Sequence, residues 1–138
     1  MKILLLTLLM TQSACGLFKS KQHTKFVMKG NKSYGYEILR GPKNNELLMA
    51  IFTGNRKTSE EMSLRYSLLS AYKFCSEKNL FLHVMKAYTD SKNDSEVTSG
   101  VTDFFCKNKK HAQSEKNFLV ACEGLDERDR PEICAIEN

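Results

Sequence analysis

Five cysteines, three histidines and sixteen carboxylates are the reactive side chains of this 138-residue chain. Four of the cysteines, Cys75, Cys106, Cys122 and Cys134, stand 31, 16 and 12 residues apart. A zinc ribbon or a redox dithiol needs a close cysteine pair, and these spacings exclude one. An even set in an exported chain is instead the arithmetic of two structural disulfides, with three connectivities open. Each would contribute typically about 2–4 kcal/mol. The sharper chemistry is a Cys106 thiolate activated by His111, five positions on. An oxidising compartment would pair that thiol, however, and no oxyanion-stabilising group is indicated beside it. His83 falls in an apolar run, where a packed or surface imidazole is expected. Asp90, Asp94 and Glu96 lack the alternating spacing and the glycine of a calcium loop. Glu60 and Glu61 belong to a helix start, where the helix dipole favours negative charge. No catalytic constellation, metal or small-molecule cofactor is therefore expected.

The fifth cysteine has a different setting. Met1-Lys2, the apolar residues 3–10 and the polar Thr11-Gln12-Ser13-Ala14 have the three parts of a secretory signal. The apolar run is far shorter than the roughly 18–20 residues a membrane-spanning helix needs. Cys15-Gly16 behind Ser13-Ala14 resembles the lipobox of bacterial lipoproteins, with Gln12 standing where most lipoboxes carry Leu or another apolar residue. The resemblance implies removal of residues 1–14 and a covalent diacylglycerol and N-acyl lipid on Cys15. Each acyl chain adds about 0.8 kcal/mol per buried methylene, and two or more hold a protein stably on a membrane. An acylated Cys15 leaves an even four cysteines, whereas a bare one strands a thiol. Gly16, rather than Asp, follows it, which implies sorting to the outer membrane. The expected location is the periplasmic face of that membrane, with soluble secretion as the alternative.

The net charge of +5 is unevenly placed. Loss of residues 1–14 removes Lys2 and no acid, leaving +4. Positions 16–36 hold Lys19, Lys21, Lys25, Lys29 and Lys32 with His23 and no carboxylate, whereas 123–138 holds six acids against Arg128 and Arg130. Residues 15–33 therefore read as a lipid anchor and basic tether. Its lysines either lie over anionic head groups, at about 1 kcal/mol each, or are solvated as a plain linker. About 18 residues of coil would span roughly 20–25 Å. Interleaved arginines and aromatics, the footprint of a nucleic-acid binder, are lacking, and no nucleic-acid partner is expected.

At 41% hydrophobic and 27% charged, the chain is globular with room for one domain. The breaks at Gly30-Asn31 and Ser33-Tyr34-Gly35 put its start near Tyr34, giving a single domain over 34–138. Strands are expected at 36–39 and 46–53, the second closed by the turn dipeptide Gly54-Asn55. Thr58-Ser59-Glu60-Glu61 spells a capping box and opens the main helix, about 58–78. Leu64, Leu68, Ala71, Tyr72 and Cys75 recur on its inward face, leaving Ser63, Ser67 and Ser70 outside. Further strands are expected at 80–88, 101–106 and 117–122, separated by a polar loop over 89–100 and a basic loop over 107–111. The fold class is α+β: a small, disulfide-stapled, mostly antiparallel sheet packed by one main helix.

From Gly35 to Asp90 the chain carries Gly35-Tyr36, a strand closed by Gly54-Asn55, the capping box, Tyr66-Ser67-Leu68-Leu69-Ser70-Ala71 and a further strand. This run resembles a family of small bacterial envelope lipoproteins of unknown function. The resemblance implies an anchored α+β domain and carries no functional residue with it; the cysteines and the long carboxy-terminal extension depart from the family. The expected function is a membrane-anchored envelope lipoprotein with a non-enzymatic binding or structural role, touching another envelope protein or the cell wall. The alternative is a soluble, secreted, disulfide-stapled inhibitor or toxin-like binding protein.

Overall fold

The computed structural model describes residues 23–29, 34–41, 46–91 and 97–135. The expected signal, Cys15, Lys19, Lys21 and Lys32 lie outside the described residues. In chain order the elements are β1 (Gly35–Arg40), β2 (Leu48–Thr53), α1 (Glu60–Glu77), β3 (Phe81–Ser91), β4 (Thr98–Lys107) and α2 (Ala112–Glu123). Two short 3-10 turns follow, Glu127–Asp129 and Glu132–Ala135. The four strands form one sheet in the order β1-β2-β4-β3, every neighbouring pair antiparallel. The chain leaves β2, crosses one face of the sheet as α1 and enters β3 on the far side of β4. Pairing of β3 with β4 continues through Asp90↔Ser99 and Ser91↔Thr98, so both strands run into the segment expected as a polar loop.

Helix α1 is capped by Ser59, one residue later than the capping box places it: the Ser59 hydroxyl accepts from the Met62 amide at 3.1 Å. Glu61 pairs with Arg65 one turn on instead of reaching back. Asn79, at φ 57°, ends the helix in the left-handed conformation that a C-terminal stop requires. The serine stripe is the clearest departure from expectation. Ser63, Ser67 and Ser70 are buried, not exposed, because small side chains let α1 settle directly on β4. A Cβ added to Gly100 would lie 2.1 Å from the Ser63 carbonyl oxygen, so the strand side of this contact has no room for a side chain. Their hydroxyls stay satisfied: Ser67 Oγ and Thr102 Oγ1 share a hydrogen bond at 2.8 Å, and Ser70 donates to the Ser67 carbonyl at 2.7 Å. Around this contact Phe52, Tyr66, Leu69, Leu82 and Phe104 form the fully buried core.

Residues 117–122, expected as a strand, are helical. Four apolar residues in a row, Phe118-Leu119-Val120-Ala121, fit either period. The helix wins because Ser114, Phe118, Ala121 and Cys122 then bury on one face, with Phe118 stacked on Tyr72 at 3.7 Å. Cys75–Cys106 ties α1 to β4, and Cys122–Cys134 ties the end of α2 to the last turn. Two disulfides belong to a chain exported from the reducing cytoplasm. Among the described residues no helix is long and apolar enough to cross a membrane.

Candidate functional site

Residues 23–29, expected as tether, dock on the domain. Phe26 stacks on Tyr36 with ring centroids 4.7 Å apart and lies 5.3 Å from Tyr66. The Tyr36 amide donates to the Val27 carbonyl at 2.9 Å, and the Lys29 amide donates to the Tyr36 carbonyl at 2.7 Å. Gly35, at φ 120°, allows this approach; a Cβ there would meet the Val27 carbonyl at 2.5 Å. Thr24 is held at both polar groups: its amide donates to Thr58 Oγ1 at 3.0 Å, and its hydroxyl accepts from the Asn55 amide at 2.8 Å. The two described lysines of this segment differ. Lys29 pairs with Glu37 at 3.2 Å, while Lys25 is exposed. The lysine pattern predicts a basic tether, over head groups or solvated; the three apolar residues Phe26-Val27-Met28 among those lysines are the contrary signal.

The carboxy-terminal turns close on the same place. Arg130 Nε donates to the carbonyls of Cys122 and Leu125, each at 3.0 Å, and so covers the carboxy-terminal end of α2. Leu125 and Ile133 are buried beneath the turns, and Cys134 is bonded to Cys122. This fixes Asp129 opposite His23, with Nε2 to Oδ1 2.9 Å. The Tyr66 hydroxyl donates to the Asp129 carbonyl oxygen at 3.0 Å. The basic and acidic ends of the sequence thus meet.

Between them lies a cleft of about 450 Å³. Phe26 and Tyr66 give it aromatic walls; Lys25, Arg128 and Arg130 line it together with a single carboxylate, Asp129, which pairs with His23. Burial, helped by the Asp129 charge, pushes the Tyr66 phenol up to about 12, so near neutral pH it is an uncharged donor. Cations outnumber carboxylates in the lining; among the described residues the exposed Lys25 has no ion pair, and Arg128 lies 4.0 Å from Asp126 with both side chains over three-quarters exposed, a weak contact. Chemically the cleft suits an anion of phosphate-ester size seated against apolar walls.

The other reactive residues are placed differently. Cys106 is bonded to Cys75, so the thiolate that a Cys106–His111 pair needs is consumed. His111 Nδ1 lies 2.7 Å from Ser114 Oγ, which accepts from the Val84 amide at 2.9 Å. His83 stacks on His111 at 4.8 Å, with its Nε2 2.7 Å from the Lys109 carbonyl oxygen. Ser114 is 1% exposed; this serine–histidine pair fastens the start of α2 to the outer edge of β3, with the hydroxyl beyond a substrate's reach. Asp90 is exposed on β3, and Asp94 and Glu96 lie outside the described residues. Arg128, Asp129, Arg130 and Tyr66 have no motif to single them out, but the opposite charges of the two termini could have suggested their meeting. No family model, curated protein or solved structure matches the chain.

Proposed function

We propose that this protein is a bacterial envelope lipoprotein, anchored by lipid on Cys15 to the periplasmic face of the outer membrane, whose domain has a non-enzymatic binding role. The supporting observation is the cysteine pairing. Cys75–Cys106 and Cys122–Cys134 account for the four cysteines of the domain without drawing on Cys15, which the lipobox-like Ser13-Ala14-Cys15-Gly16 presents for acylation. The domain's partner on this reading is an envelope component, protein or cell wall.

Metabolic palmitate labelling of wild type and Cys15→Ser tests the anchor. Label and membrane fractionation are expected for wild type, and neither for Cys15→Ser. An unlabelled, soluble wild type would establish the secreted, disulfide-stapled binding protein instead. Cross-linking in cells followed by pull-down then identifies the partner.

A further inference from the structure

Docking of residues 23–29 leaves a short tether. Eight residue steps separate Cys15 from His23, a reach of at most about 28 Å at roughly 3.5 Å each. A lipid on Cys15 therefore keeps the His23 side of the domain at the bilayer surface, and His23 lines the cleft. We infer that the cleft binds the phosphate headgroup of an anionic phospholipid in the membrane that carries the anchor. The inference rests on the anchored reading for its geometry and on the cleft's own chemistry for its ligand.

Three features support the assignment. First, the charges are complementary: three cations, Lys25, Arg128 and Arg130, line the cleft against one carboxylate, Asp129, which already has His23 as a partner at 2.9 Å. Arg130 is already positioned by its bonds to the Cys122 and Leu125 carbonyls, so it pays little ordering entropy on meeting a phosphate. Arg128 can offer the forked donor geometry that matches phosphate oxygens. Second, the docked segment carries exposed apolar side chains beside its lysines: Val27 is 49% and Met28 68% exposed, and Tyr34, just beyond, is 41% exposed. Exposed apolar and aromatic residues flanked by lysines are the composition of an interfacial contact. Third, Lys19 and Lys21 stand in sequence between Cys15 and the cleft, so the positive charge continues toward the anchor.

The test uses the full exported chain carrying Cys15→Ser, which removes the acyl contribution and leaves the cleft intact. It is mixed with sedimentable vesicles of phosphatidylcholine alone, or of phosphatidylcholine with about a third phosphatidylglycerol, near physiological ionic strength. Binding to the anionic vesicles is expected, with little to the neutral ones. Lys25→Gln with Arg128→Gln should lower that partitioning roughly 30-fold, at about tenfold or less per surface charge. Lys25→Arg with Arg128→Lys should restore most of it. Lys86→Gln with Lys110→Gln, the same loss of charge toward the far edge of the sheet, should have a much smaller effect. Equal loss in both charge-removed variants would mean a diffuse charge effect and overturn the cleft assignment, as would an absence of anionic preference in Cys15→Ser. Saturable protection of the cleft by glycerol 3-phosphate at matched ionic strength, without vesicle preference, would assign a soluble phosphate ester and overturn the membrane source. Failure of palmitate labelling alone would remove the anchor and leave the vesicle result standing, so the two readings fail separately.

Discussion

The two disulfides sit in regions built on opposite principles. Cys75–Cys106 joins α1 to β4, elements already held by the buried serine stripe, by Gly100 and by a core of Phe52, Tyr66, Leu69, Leu82 and Phe104. Cys122–Cys134 holds a tail of two short 3-10 turns in which, among the described residues, Leu125 and Ile133 are the buried apolar side chains. In the first region the covalent bond reinforces a packed core; in the second it stands in for one. The candidate site lies in the second, where Asp129 and Arg130 are positioned by carbonyl and ion-pair contacts rather than by packing. Binding sites are commonly borne on loops placed by a rigid scaffold, and here the loop is made rigid by a single bridge.

The largest effect expected is that of Cys75→Ala with Cys106→Ala. Opening a loop of 31 residues removes about 4 kcal/mol of stability by the chain-entropy relation. The urea midpoint of the whole domain should fall, and sheet amides should lose protection together. Cys122→Ala with Cys134→Ala opens 12 residues, about 3 kcal/mol by the same relation, but the loss should be local. Amide exchange should accelerate over 123–135 while the amides of β2 and β4 keep near wild-type protection. Uniform loss of protection in this second variant would show that the two regions are one cooperative unit.

Tyr66 bridges the regions, its ring packed near Phe52 and its hydroxyl on the Asp129 carbonyl. Its folded pKa of about 12 exceeds the unfolded value of 10. Its contribution is therefore fully present below about pH 10 and is lost as pH rises toward about 12. That loss is on the order of 2–3 kcal/mol. Tyr66→Phe should flatten the fall in unfolding free energy over this window; an unchanged slope would assign it to another group. The smallest effect is expected from Thr58→Ala, which removes the acceptor of the Thr24 amide at about 1 kcal/mol. Faster exchange at Thr24 and Asn55, with an unchanged urea midpoint, would mark residues 23–29 as a separately released strap.

The fold was legible wherever burial and period agree. The strands at β1 and β2, the start of α1 within a residue and the α+β class follow from apolar runs bounded by turn residues and from a capping sequence. The departures share one cause, the neighbour in space. Ser63, Ser67 and Ser70 read as a polar surface, yet all three are buried against β4, where the bare Gly100 lets the Ser63 backbone approach and Thr102 satisfies Ser67. The run at 117–122 fits strand or helix until Tyr72 stacks on Phe118. Of the candidate site, the charge at each end of the chain was visible, whereas its convergence needed Phe26 to find Tyr36 and Tyr66.

Composition and local pattern were enough for the inventory: an export signal and a lipobox-like cysteine as expectations, four cysteines of even count, a capped helix and a mostly antiparallel sheet. These are properties of short windows, where side-chain type and spacing decide. Pairing Cys75 with Cys106 and Cys122 with Cys134, turning a serine face inward, and folding a basic amino-terminal segment onto an acidic tail are matters of proximity between residues far apart in sequence. Each depends on the free energy of the packed whole, in which a stacked ring or a missing Cβ outweighs local preference.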